Sequence, residues 1–253
     1  MSLVIFIVLL LAVWQGAWFL AVEVLEIAKS YTVPSPLGVG ECFIELCKDG
    51  TLLQATANSL GRGIIGYAIA VVLGAVLGLI IHRSKYLQKN LKPMILGMQT
   101  LPSVCWVPFS ILWFGLSTQA ILFVVIMGAT FSISISVDNA IKNVPPIYTK
   151  AALTMGATKM QLYKEVILPA CLPELVSGLK QGWSFAWRAL MSGEVMTTSI
   201  GLGQTLITGR DLADINQVTL VMLVIVVVGI IIDKCIFTTI ETRMLKKRGL
   251  INE

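Results

Sequence analysis

Long uncharged apolar runs alternate with short polar stretches along this chain. Residues 3–22 carry no charge over 20 positions, enough for about 30 Å of helix. Comparable runs occupy 58–81, 93–114, 119–137, 174–199 and 217–240. The pattern predicts an all-α polytopic membrane protein with six transmembrane helices, in one permease-sized domain over residues 1–253. The first run lacks a basic leader and a small-residue cleavage site, so it reads as a span rather than a removed signal. Pro102 and Pro108 break the third run, and Gly115-Leu116-Ser117-Thr118 forms a tight turn into the fourth. Between the first two runs, Pro34-Ser35-Pro36 is a turn and 37–46 a short interfacial helix. Residues 200–216 read as a polar, glycine-bearing connection.

The polar interruption at 138–170 contains KAALTMGATKMQLYKEVILP from Lys150 to Pro169. Its residues predict two short helices with a break. Ala151, Ala152, Leu153 and Met155 are helix formers, and Gly156 takes the left-handed position that ends the first helix. Thr158 caps the second, with Gln161 at the capping-box position. Met160, Tyr163 and Val166 give it a narrow apolar face, and Pro169 marks its expected end.

Composition agrees with a membrane protein: 56% of the 253 residues are hydrophobic, 13% are charged, and the mean hydropathy is +0.85. The net charge of +5 is read by loop, as topology, and not as a nucleic-acid surface. Twelve Lys and Arg residues fall after the second and fourth runs and in the tail with Arg243 and Arg248. Three fall on the other side: Lys29, Lys48 and Arg210. The positive-inside rule therefore places both termini and 138–170 in the cytoplasm. The five cysteines show no redox or zinc spacing, and the single His82 excludes an HExxH site. No Walker A sequence is present, so ATP hydrolysis is not expected of this chain. Small residues at Gly74 and Gly78 allow another helix to approach closely or are simply tolerated.

Ala151, Ala152, Gly156, Val166, Leu168 and Pro169 match in spacing the "EAA loop" of ABC-importer permeases, with Lys150 in place of its Glu and Val166 in place of its Ile. Gln99-Thr100-Leu101-Pro102, Trp106, Pro108, Leu112-Trp113-Phe114-Gly115-Leu116, Gly178-Leu179-Lys180, Ala186-Trp187, Glu194, Gly201-Leu202-Gly203, Gly229 and Asp233 extend the likeness over nearly the whole chain. Ser192-Gly193-Glu194-Val195 departs from the usual Ala-Glu-Met. The chain resembles the nitrate, sulfonate, taurine and bicarbonate import permeases, a group that also contains carriers of thiamine-precursor pyrimidines.

That resemblance implies a type I importer permease in a bacterial cytoplasmic membrane. It implies a small polar, usually anionic solute delivered by an extracytoplasmic binding protein. It also implies a second copy of the chain, and two cytoplasmic subunits that bind ATP and Mg, with no cofactor in the chain itself. Ala151, Ala152, Gly156, Thr158, Met160, Tyr163, Leu168 and Pro169 become candidates for coupling to those subunits. A self-sufficient carrier is the alternative, although no internal repeat is visible. A membrane enzyme lacks any nucleophile with an evident base.

Charges within apolar runs are functional candidates by default. Trp183, Trp187, Met191 and Glu194 fall near one helical face, with Arg188 about 120° away from Glu194. All five are candidates for the translocation path. For Glu194 the other reading is a structural partner of Arg62. Trp106 and Trp113 read as packing residues.

Overall fold

The computed structural model describes residues 2–27, 29 and 32–247, and every regular element among them is helical. In order these are α1 (Ser2–Phe19), α2 (Pro36–Lys48), α3 (Thr51–Arg83), α4 (Lys85–Thr100), α5 (Val107–Phe114) and α6 (Thr118–Lys142). There follow α7 (Pro146–Thr154), α8 (Lys159–Gln161), α9 (Leu168–Val195), α10 (Leu202–Asp211), α11 (Ile215–Ile232) and α12 (Thr239–Lys247). A bilayer offers backbone groups no hydrogen-bond partner, so apolar runs of this length resolve as helices.

Among the described residues three helices are long and apolar enough to cross a membrane: Thr51–Arg83, Thr118–Lys142 and Ile215–Met244. A fourth candidate is the pair Lys85–Thr100 and Ser103–Phe114, bent by 99°. The first apolar run forms α1 and a π-helical turn, Leu20–Val24. The fifth forms α9, 28 residues long but interrupted by Lys180, Arg188 and Glu194.

The chain divides into two compact units. The first is Met1–Leu60 with Glu194–Val228. Its core joins Val39 and Cys42 of α2 to Leu220 of α11, with Trp14, Leu46 and Val224 around them. The Trp14 indole donates to Pro34 O (3.0 Å). Ser35 caps α2 by accepting from Gly38 N–H (3.0 Å), and its own N–H donates to Asn216 Oδ1 (3.1 Å). Pro36 at the first position of α2 suits a helix start, where no amide partner is needed.

The second unit is Gly61–Gly193 with Gly229–Glu253. Here α3 packs on α6 through small residues. A methyl at Gly74 would lie 2.8 Å from Ile133 Cβ, and one at Gly78 would lie 2.6 Å from Ser134 O. The spacing of these glycines therefore serves close packing within the chain. Ile81, Ile95 and Ile135 form one apolar cluster of this unit, and Val107, Val124 and Ala189 another. Asp138, fully buried, ties three helices together. It meets Lys92 Nζ at 2.7 Å, Lys142 Nζ at 3.1 Å and His82 Nδ1 at 3.4 Å.

Several boundaries differ from those the sequence predicts. Asp138 is helical, since α6 runs on to Lys142. The basic stretch after the second run is mostly α4, capped by Ser84. Leu101 and Pro102 break the third run as expected, both with extended backbone. Pro108 instead sits in the first turn of α5, where its missing N–H is harmless. Residues 200–216 contain α10, a ten-residue helix whose mixed polarity hid it. Pro169 does not end a helix. A π-helical turn, Leu162–Ile167, carries the chain from α8 into α9, and the Leu168 N–H donates to Tyr163 O, five residues back. The widened turn admits the proline ring without ending the helix. Arg248 of the basic tail lies outside the described residues.

Candidate functional site

Between α6 and α9 the chain breaks at Gly156 and restarts at Thr158 as its residues predict, but the second helix runs on through the π turn into α9. At the end of α7, Gly156 N–H donates to Leu153 O (3.0 Å) and Ala157 N–H to Ala152 O (3.0 Å). This pair of bonds is the Schellman pattern, and it requires a left-handed residue at Gly156, where φ is +80°. Thr158 then starts α8 with a complete capping box. Its hydroxyl accepts from Gln161 N–H (3.4 Å), and Gln161 Oε1 accepts from Thr158 N–H (2.9 Å). Ala152 and Leu162 are buried in the break. Met155, Met160 and Tyr163 stay exposed, by 86%, 75% and 57%, and so do Leu153, Tyr148 and Leu168. Ala151 and Lys150 are exposed, Val166 is half-buried, and Pro169 follows the π turn. A helix–break–helix step fixed by two local caps thus presents methionine and aromatic side chains outward.

Glu194, at the end of α9, is fully buried in the first unit. The Ser59 hydroxyl lies 2.9 Å and 2.7 Å from its two carboxylate oxygens, and Gly203 N–H donates to Oε2 at 3.0 Å. Ser59 Oγ in turn accepts from Leu202 N–H (2.9 Å). Leu202 and Gly203 open α10, so the carboxylate and the hydroxyl satisfy orphan amides at that helix's positive end. Gly201-Leu202-Gly203 is what allows this approach. A methyl at Gly201 would lie 2.5 Å from Glu194 Oε1, and one at Gly203 would lie 2.5 Å from Glu194 Cβ. Arg62, the partner weighed from the sequence, belongs to the second unit.

The remaining candidates of α9 belong to the second unit and separate by environment. Trp183 and Trp187 are buried and stack at 5.9 Å, with Tyr67 edge-on to Trp183 at 5.2 Å and Phe237 beyond. The Tyr67 hydroxyl donates to Leu179 O (2.8 Å). Met191 is half-buried. Lys180 pairs with Asp233 (3.2 Å) and reaches Glu241 (3.9 Å). Arg188 is exposed. Its Nε–H donates to Ser184 O (3.1 Å), and its guanidinium lies 4.8 Å from the Phe185 ring centre. It faces a cleft of about 280 Å³ at the α4–α5 break, shared with Gln99, Thr100, Ser103 and Trp106. Trp106 contacts Phe123 and Phe131, and Trp113 contacts Phe123, so both tryptophans pack in the aromatic cluster around α5.

Two features escaped the sequence: the Ser59–Glu194–Gly203 closure and the α10 helix it caps. The doublet of glycines around Leu202 was their visible trace.

Comparison with known proteins agrees with this architecture. The family described as "Binding-protein-dependent transport system inner membrane component" matches residues 70–246. A putative ABC transporter permease protein of Methanocaldococcus jannaschii is 30% identical over 73% of this chain and 70% of its own. A putative aliphatic sulfonates transport permease of Bacillus subtilis is 27% identical over 95% of this chain and 85% of its own. Permeases named for nitrate (Leptolyngbya laminosa, 28% identical), taurine (Escherichia coli, 28%), bicarbonate (Synechococcus elongatus, 26%) and formylaminopyrimidine (Halalkalibacterium halodurans, 28%) transport are also similar. A solved structure of the MetNI methionine ABC transporter in inward-facing conformations shares the fold, with a TM-score of 0.64, 19% identity, and coverage of 80% of this chain and 97% of that one. Permeases of this kind hold no cofactor and leave ATP hydrolysis to partner subunits, which sets aside the self-sufficient carrier. With its all-helical architecture and the family match over residues 70–246, this chain belongs to the inner-membrane permease components of binding-protein-dependent ABC importers.

Proposed function

We propose that two copies of this chain form the translocation path for a small polar anion of the sulfonate/taurine, nitrate or bicarbonate class. Each copy contributes six spans, with both termini in the cytoplasm. The solute arrives on an extracytoplasmic binding protein. Two cytoplasmic ATP-binding subunits dock on the loop 138–170, through Ala151, Ala152, Gly156, Thr158, Met160, Tyr163, Leu168 and Pro169. The observation that carries the coupling role is the outward exposure of Met155, Met160 and Tyr163 on a step whose backbone is fixed by its own caps. An exposed apolar patch on a rigid element is what a partner surface requires. The methionines suit it further, since flexible thioethers adapt to a moving partner. The anion class is supported by the names of the sulfonate, nitrate, taurine and bicarbonate relatives.

The test is Gly156→Val in the reconstituted complex. A β-branched residue at φ +80° is strained by about 1–2 kcal/mol or more, so the step between α7 and α8 shifts. Nothing lies within 4 Å of a Cβ at that position, so the strain acts on the backbone alone. We expect normal membrane insertion and loss of ATP hydrolysis stimulated by the loaded binding protein. Unchanged stimulation overturns the coupling role, and native mass spectrometry showing one permease per two ATPase subunits overturns the dimer.

A further inference from the structure

The charges of α9 lead to a second site. A helix of span length that carries Lys180, Arg188 and Glu194 needs a partner for each charge, because bare charges at membrane depth are costly. Lys180 has Asp233 and Glu241, and Glu194 has the Ser59 hydroxyl and the Gly203 amide. Arg188 has no carboxylate within 4 Å among the described residues. Its protein contacts are the Ser184 carbonyl, which takes Nε–H, and the flat of the Phe185 ring. These two contacts hold the guanidinium plane and leave both terminal amino groups available, the fork that binds oxyanions through two parallel hydrogen bonds.

Arg188 faces the cleft at the α4–α5 break, and four further observations give that cleft the character of a ligand site. Among its described lining residues Arg188 is the one with a full charge, and none is acidic. Gln99 Oε1, which also lines the cleft, is buried and has no hydrogen-bond partner. Its carboxamide oxygen is thereby open to a hydrogen bond from a bound molecule. Its two ends exchange by a half-turn, so the same side chain donates to an anion or accepts from an anion's own hydroxyl or amino group. Ser103 Oγ, on the same wall, lies 3.2 Å from Ser192 Oγ, whose own proton goes to Arg188 O (3.1 Å), so the Ser103 hydroxyl either donates to Ser192 or turns to donate to a ligand. Finally, Leu101 and Pro102 are extended in the middle of a bent pair of helices. Irregular backbone at membrane depth is tolerated where it is buried or lines a polar cavity, and broken helices mark binding sites in transporters. The volume of about 280 Å³ equals roughly nine waters, room for a small oxyanion with some hydration.

We propose that this cleft is an anion-binding subsite of the permease, in which Arg188 pairs with the oxyanion, Gln99 and the Ser103 hydroxyl complete its hydrogen bonds, and the Trp106 ring forms an apolar wall. It rests on the anion-importer reading above and gives that reading a chemical selector inside the membrane, separate from the binding protein.

The test uses proteoliposomes with the whole transporter and saturating binding protein, and measures uptake of labelled nitrate, taurine and bicarbonate. For the anion that wild type carries, Arg188→Gln should reduce uptake by about ten-fold or more, the loss expected for a charge-assisted hydrogen bond. Arg188→Lys, which keeps the charge but not the fork, should keep more uptake than Arg188→Gln. Gln99→Leu should lose about three-fold or more, the equivalent of one neutral hydrogen bond. The melting temperature of the complex should stay near that of wild type in all three. Uptake by Arg188→Gln within two-fold of wild type overturns the subsite. So does an equal loss in Arg188→Gln and Arg188→Lys, or a loss that merely follows a fall in folded complex. If wild type carries none of the three anions while a neutral pyrimidine is carried, the anion-importer reading itself fails, a result distinct from failure of Arg188 alone.

Discussion

Replacing Glu194 by alanine removes a carboxylate that accepts from the Ser59 hydroxyl and Gly203 N–H at the start of α10. Each hydrogen bond to a charged group contributes about 1.5–3 kcal/mol, and the favourable end of the helix dipole adds about 0.3–2 kcal/mol. The deletion also leaves the Gly203 amide buried without its acceptor. These terms are not additive, and the comparable loss from breaking a buried charged network is about 3–5 kcal/mol. A chain of this size loses about 2–4 °C of melting temperature per kcal/mol, so Glu194→Ala should melt about 6–20 °C lower. Glu194→Gln keeps the volume and one acceptor and should fall between the two. Ser59→Ala should also destabilise, because it removes a donor from Glu194 and an acceptor from Leu202 N–H (2.9 Å). Thermal unfolding of the purified complex, followed by size-exclusion recovery, measures all three. The double variant then reports the coupling, which should be at least about 1 kcal/mol for residues in direct contact. If Glu194→Ala melts within a degree of wild type and only transport is lost, the carboxylate is a path residue and the capping argument is wrong.

Two further outcomes are expected. Gly78→Leu would press a side chain against Ser134 O and Val137 Cβ, where even a methyl lies at 2.6 Å and 2.8 Å, so folded yield should drop sharply while Gly97→Leu, with open space around it, is tolerated. Burial, with Asp214, Glu45 and Asp49 nearby, pushes the Cys42 thiol up to about 11. Alkylation of Cys42 should therefore be slow at pH 8 and rise towards pH 11, behind the half-buried Cys47. An unfolded thiol ionises earlier, so the stabilisation from keeping Cys42 neutral is present below pH 9 and lost as pH rises from about 9 to 11. Mass spectrometry of labelled peptides checks the order, and equal rates at pH 8 would contradict it.

Much of this protein is fixed by rules that act over a few neighbouring residues, and those parts are legible without coordinates. Twenty uncharged apolar residues become a helix because lipid leaves backbone groups no other partner. Gly156 ends α7 and Thr158 with Gln161 begins α8 because caps span three to five positions of one chain. Leu101 and Pro102 break the third run because proline constrains the residue before it. The sequence alone also determined the membrane setting and the likeness to importer permeases.

The tertiary structure decided where each charge goes. Glu194 looks like a bare acid in an apolar run until Ser59, 135 positions away, and the first turn of α10 close around it. Asp138 looks like the start of a loop until Lys92 and His82, from α4 and α3, meet it. Pro169 looks like a stop until the π turn before it widens the ladder. A hydrogen-bond partner from a distant segment leaves no periodic trace in the sequence, and the energy of burying a charge depends on that partner. Hydropathy can therefore place Arg188, Lys180 and Glu194 on one helix. Only packing assigns two of them to protein partners and leaves Arg188 facing a cleft.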